Sequence, residues 1–144
     1  MTQTVTALKT DSYRSDEWIL DIFENYFDPC PLNDNPKFNG LEIEWKDKTF
    51  VNPPYSNPLP WVKKAIEEQK KGKTIVLLLK MDTSTKWFKE LQEAQAHFLW
   101  INGRLHYRGL HHNYEGKTPF PFPSMFAILS KTDLKQELLG RKIK

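Results

Sequence analysis

The segment "TIVLLLK", residues 74 to 80, constrains the fold most. Apolar residues follow one another without a polar break, whereas a strand turns successive side chains to opposite faces. Both faces must be covered, the condition of a central strand between layers of helix. The flanking sequence supplies such helices. "PLPWVKKAIEEQKKGK" places Trp61, Val62, Ala65 and Ile66 on one stripe, with Pro60 suited to the first turn and Gly72 to the stop. "STKWFKELQEAQA" spaces Trp87, Phe88 and Leu91 as a second helix. "SDEWILDIFENYF" gives a third, with Trp18, Ile19, Ile22, Phe23 and Tyr26 on one face and Ser15 as N-cap. "KTFV", "HFLWI" and "MFAILS" are short, apolar and β-prone. Alternating strands and helices predict an α/β fold with a mostly parallel central sheet.

One domain over residues 1–144 is expected, with 39% hydrophobic and 13% aromatic residues to build its core. The single cysteine, Cys30, excludes an intramolecular disulfide and fits a reducing compartment. "MTQTVTALKTDSYRSDEW" contains no apolar signal-peptide core, and no run reaches bilayer length, so a cytoplasmic protein without a membrane partner is expected. Charge is split along the chain. Residues 1–60 carry five Lys/Arg against ten Asp/Glu, and residues 61–144 carry sixteen against eight. Ordinary solvation accounts for such a split, and so does a basic surface that meets a polyanion. Lys63, Lys64, Lys70, Lys71 and Lys73 read as a solvated helix face adding to that field.

Residues 104–118 open a long insertion, "RLHYRGLHHNYEGKTPFPFPS", before the last strand. Interleaved basic and aromatic residues suit a surface that holds phosphates and stacks bases, and equally a hairpin with aromatics packed beneath it. Arg104, Tyr107, Arg108, His111 and Lys117 are its candidate nucleic-acid contacts. His106, His111 and His112 have no Cys or acidic partner at a metal-binding spacing, so no metal is expected. Pro119, Pro121 and Pro123 stiffen the return to the sheet.

The residues with the clearest chemistry are "NPPY", Asn52 to Tyr55, directly after "KTFV". Ligands of α/β sheets bind beyond the carboxyl ends of strands, where this turn falls. An exocyclic nucleobase amine is a poor nucleophile because its lone pair is delocalised into the ring. Two fixed acceptors, the Asn52 side-chain oxygen and the Pro53 carbonyl, can orient its N–H bonds so that the lone pair faces a methyl donor. Pro53 and Pro54 restrict the backbone, and proline has no N–H to compete for the carbonyl. The Tyr55 ring can stack on the base, so positioning and electrostatics replace a strong base.

"NPPY" after a strand resembles motif IV of S-adenosylmethionine-dependent amino-methyltransferases. The ordered set "FDPCP", "NGLEIEW", "VNPPYSNPLPWVKKA", "IVLLLKMDTSTKWF", "INGRL" and "PFPSMFAIL" resembles the phage-type Dam family of DNA adenine methyltransferases, from about Tyr13 to Leu129. The resemblance implies that Asn52, Pro53, Pro54 and Tyr55 are catalytic. It further implies that S-adenosylmethionine is the cofactor, lined by Asp28, Pro29, Cys30 and Pro31 together with Asn52, with Tyr13 and Ser15 at the N-terminal cofactor motif. "NGRL" nominates Arg104 beside the active site.

This chain departs from that pattern in having no glycine in "DPCPLND" and only about twenty residues between Asp28 and "KTFV". The usual outer strands do not fit there. The expectation is a reduced Rossmann-like methyltransferase fold with part of one sheet edge missing. Phe38, Trp45 and Phe50 would then lie near solvent, and a homodimer would cover the open side. The activity implied is methyl transfer to the adenine amine of a base flipped out of DNA. The rival readings are an RNA or protein-glutamine methyltransferase using the same turn, and a catalytically inactive nucleic-acid-binding module of this fold.

Overall fold

The computed structural model describes residues 16–31, 37–106, 119–132 and 134–140. Its centre is β2 (Thr74–Lys80), in which Ile75 to Leu79 are all buried. Both faces of the strand are covered, as its unbroken apolar run demands. On one face, Ile75, Leu77 and Leu79 join Val62 and Ala65 of α2 (Leu59–Lys70) and Trp87, Phe88 and Leu91 of α3 (Lys86–Glu93). On the other, Val76 and Leu78 join Ile19 and Ile22 of α1 (Glu17–Ile22) and Leu138 of α4 (Lys135–Gly140). Phe23 just beyond α1 stacks on Phe50 with ring centroids 4.3 Å apart. The result is helix, sheet and helix in three layers.

β1 (Lys48–Val51) pairs in parallel with β2, Val51 lying opposite Leu77. β4 (Ser124–Leu129) runs antiparallel along the other side of β2, and β3 (His97–Trp100) runs antiparallel to β4 at the far edge. The order is β1-β2-β4-β3. The expected mostly parallel sheet is therefore corrected to a mixed sheet with one parallel and two antiparallel ladders. The cause is the return of the chain after β3, which inserts β4 backwards between β2 and β3. Because each is antiparallel to β4, β2 and β3 still share the direction of β1. Three carboxyl ends and the start of β4 thus meet along one rim.

The edge beyond β1 is short. Among the described residues Phe27 alone bridges Thr49, its N–H donating to the Lys48 carbonyl (2.9 Å) and its carbonyl accepting from the Phe50 N–H (2.8 Å). The chain covers this side itself, so the expected exposure is corrected at two positions: Trp45 is 2% and Phe50 6% exposed, while Phe38 is half-buried. That exposure motivated the expectation of a homodimer, and the motive falls with it.

Glu68 on α2 holds the cover in place. It is 1% exposed, and its Oε1 accepts the Trp45 backbone N–H (2.9 Å) and the Lys73 ammonium (2.5 Å). Lys71 and Lys64 approach its other oxygen at 2.9 and 3.4 Å. Lys73 also donates to the Trp45 carbonyl. The reading of these lysines as a solvated face is thus corrected most clearly at Lys73, itself buried. Burial works to raise the Glu68 pKa, but the bonds from Lys73, Lys71 and the Trp45 N–H outweigh it and hold the carboxyl at about 2. Gly72 ends the helix as expected, at φ +98°, where a Cβ is disfavoured. The expected cap of α1 at Ser15, which lies outside the described residues, is corrected to Asp16, the extended residue directly before Glu17.

Candidate active site

The rim gathers the chemistry-bearing residues. Asn52 follows β1 directly, and Pro53 is buried at the base of the turn. The Asn57 N–H donates to the Pro54 carbonyl (3.3 Å), closing a turn through Tyr55 and Ser56 just before α2. Pro60 occupies the first turn of α2, where its missing N–H costs nothing. Tyr55 is braced edge-on by two phenyl rings, with centroids 5.4 Å from both Phe120 and Phe122. Its orientation is set by packing as well as by the prolines.

A cavity of about 410 Å3 opens beside this turn on the β2 side. Pro53, Pro54 and Tyr55 form one wall, Leu78 to Lys80 another, and Lys86, Trp87 and Phe122 complete it. Its volume lies within the roughly 300–1,000 Å3 range of small-molecule sites. Sequence reasoning missed Lys80, Lys86 and Phe122. Lys80, the single charge closing an apolar strand, was the available signal; Phe122 stands in the insertion whose aromatics suit base stacking or hairpin packing, with nothing in the sequence to single out this ring.

Asp28 lies on the opposite flank, after the Phe27 bridge to β1. Its Oδ1 accepts the Cys30 N–H (2.9 Å), which shapes the Asp28–Cys30 turn. The dense protein behind this otherwise exposed residue raises its carboxyl above the ordinary aspartate range, and the Cys30 N–H partly opposes that rise. Pro29 is buried, and Cys30 and Pro31 are half-buried. Arg104 is exposed just after β3, following Gly103 at φ +81°. Tyr13, Ser15, Tyr107, Arg108, His111 and Lys117 lie outside the described residues.

Gly40 ties the covering segment to the Asp28 turn. A Cβ there would fall 1.9 Å from the Pro29 carbonyl oxygen and 2.9 Å from Trp61 Cη2. The Gly40 carbonyl in turn accepts the Trp45 indole N–H at 2.7 Å. A run of contacts thus leads from Glu68 through Trp45 and Gly40 to Pro29. Gly40→Ala is expected to push the Asp28 turn outward and to destabilise the fold by about 1–3 kcal/mol, as overpacking does. Thermal unfolding checks this, an unchanged melting temperature meaning that the segment relaxes without cost.

Comparison with known proteins follows the same lines. The chain is 37% identical to a DNA N-6-adenine-methyltransferase of Haemophilus phage HP1 (strain HP1c1), over 54% of this chain and 54% of that protein. It is 45% identical to a DNA N-6-adenine-methyltransferase of Escherichia phage T1, over 46% of this chain and 29% of the relative. The alignments thus span about half or less of the length of these curated relatives. No solved structure matches. The family model described as DNA N-6-adenine-methyltransferase (Dam) matches residues 6–136, and with that extent of match the chain belongs to the Dam family.

Proposed function

We propose that this chain transfers a methyl group from S-adenosylmethionine to the exocyclic amine of adenine in DNA, on a reduced Rossmann-like core. The observation that carries the reading is the Asn52-Pro53-Pro54-Tyr55 turn. It stands at the carboxyl end of β1, with Asp28 on the outer flank and the 410 Å3 cavity on the inner one. Membership of the Dam family and the names of the two phage relatives support it. No described helix is long and apolar enough to cross a membrane.

The residues around Asp28 fit the cofactor in their donor set. One carboxylate oxygen is engaged by Cys30, and a carboxylate has capacity for further donors such as ribose hydroxyls or an ammonium group. Asp28, Pro29, Cys30 and Pro31 would hold it, with Asn52 at the boundary; Tyr13 and Ser15 would complete the pocket from the N-terminal side. S-adenosylmethionine supplies the electrophilic methyl group. The chain's own work is positional. The Asn52 side-chain oxygen and the Pro53 carbonyl accept the two amine N–H bonds, and Tyr55 stacks on the base in the cavity. As the nitrogen takes the methyl it would become cationic until its surplus proton leaves to solvent, and both acceptors face that positive charge, so they stabilise the transition state more than the ground state. Arg104, with Tyr107, Arg108, His111 and Lys117, would contact DNA.

Incubation with labelled S-adenosylmethionine and DNA, RNA or protein acceptors tests the reading. Label is expected in N6-methyladenine of DNA alone; label in RNA or in protein glutamine, or none anywhere, replaces it with one of the rival readings. Asp28→Ala is expected to raise the cofactor dissociation constant about tenfold or more while moving the melting temperature little. Isothermal titration measures the first and calorimetric unfolding the second. An unchanged dissociation constant removes Asp28 from the cofactor pocket.

A further inference from the structure

The cavity beside the proposed catalytic turn is mostly apolar, yet two of its lining residues, Lys80 and Lys86, carry charge, and among the described residues no carboxylate lines it. A methyl-accepting base needs apolar and aromatic walls, which Leu78, Leu79, Trp87, Phe122 and Tyr55 supply. It gains nothing from two ammonium groups. A nucleotide, which brings its own phosphate to the rim, does.

We propose that Lys80, assisted by Lys86, holds the backbone phosphate of the nucleotide whose base enters this cavity. The site would then accept a nucleotide in preference to a nucleoside or a peptide amide. The inference rests on the functional reading above and deepens it.

The geometry around Lys80 suits this role. Its Nζ lies 5.7 Å from the Phe122 ring centroid, so the ammonium stands over a cavity wall. It also lies 3.4 Å from Asp82 Oδ2, with both side chains partly exposed. Such a pair is held weakly. Asp82 is anchored independently: its Oδ1 accepts the Ser84 hydroxyl (2.5 Å) and the Ser84 N–H (3.1 Å). Asp82 therefore keeps satisfied partners when Lys80 swings to a phosphate. The pair stores Lys80 near the cavity mouth in the free protein, and release to a more strongly charged oxyanion leaves no carboxylate stranded. Lys86 begins α3, and the Thr85 hydroxyl that accepts the Phe88 N–H fixes the first turn from which it projects. Lys86 is exposed, and no ion pair of it is found among the described residues.

Two measurements test the proposal. In an NMR titration of the full chain, 2′-deoxyadenosine 5′-monophosphate is expected to bind about tenfold more tightly than deoxyadenosine. Both ligands should shift the amides of Leu79 and Phe122. Lys80→Met should reduce that preference to about twofold or less, with deoxyadenosine binding unchanged. Lys80→Arg should keep most of the preference, which a merely structural role would not produce. Lys63→Met, an exposed lysine that does not line the cavity, should leave it intact.

For DNA methylation, the slope of log(kcat/KM) against log salt should become shallower by about one unit in Lys80→Met, and again in Lys86→Met. Equal affinity for nucleotide and nucleoside, shifts confined to residues 27–31, or an unchanged salt slope in Lys80→Met overturns the proposal while wild-type methylation of DNA stands. A wild-type chain that fails to methylate DNA overturns the functional reading, and this inference with it.

Discussion

Asn52→Ala is expected to slow methyl transfer a hundredfold or more while leaving the fold in place. On the proposed reading one of two acceptors that orient the amine is lost, and an electrostatic contact of this kind is worth about 3 kcal/mol in the transition state. The substitution removes little apolar contact, because Asn52 is half-buried at the strand end and the core residues Phe50 and Val51 precede it. Single-turnover transfer from labelled S-adenosylmethionine reads the loss, and circular dichroism with thermal unfolding reads the fold. Turnover near the wild-type rate would sink the assignment of the turn. Tyr55→Phe should retain most activity. Tyr55→Ala should lose stacking worth about 1–3 kcal/mol and also the ring braced by Phe120 and Phe122. The two Tyr55 variants therefore separate the ring from its hydroxyl.

Glu68→Ala is expected to destabilise the fold by about 3 kcal/mol, because it leaves the buried Lys73 ammonium with only the Trp45 carbonyl and the exposed Glu44 carboxylate and removes the acceptor of the Trp45 N–H. Denaturant unfolding measures the loss, and an effect below about 1 kcal/mol, the level of an exposed pair, would show the cluster to be solvated. The same carboxylate gives the protein an acid sensitivity of definite sign. Its folded pKa, about 2, lies below the ordinary glutamate value of 4.5. The ionised form is therefore favoured in the folded state, and the contribution is fully present above the unfolded value. It is lost as pH falls from about 5 towards 2. Glu68→Gln should flatten the decline of stability over that window. Because Trp45 and Gly40 lie between Glu68 and Pro29, Glu68→Ala should also weaken cofactor binding without any direct contact.

The sequence by itself determined most of the elements, though not α4, and nominated the Asn52–Tyr55 turn. An apolar run in β2 admits only a strand covered on both faces, and helical spacing at Val62 and Ala65 or at Trp87, Phe88 and Leu91 fixes which side of each helix is buried. Prolines restrict the backbone locally, so Asn52 to Tyr55 could be read as a stiff turn before any fold was known. These are properties of near neighbours along the chain. Tertiary structure alone decided what depends on partners far apart. The sheet became mixed because β4 pairs between β2 and β3, a choice of neighbours that strand propensity does not encode. Trp45 is buried because a short segment folds back over the β1 flank, held by Glu68 and Lys73, which in sequence look like any solvated charges, and Phe50 is buried because Phe23 and Phe126 pack on it from the other face. The cavity wall joins Lys80, at the end of one strand, to Phe122, which precedes another by way of a long insertion. Burial converts such charges from surface decoration into structure, and burial is a property of the packed chain as a whole.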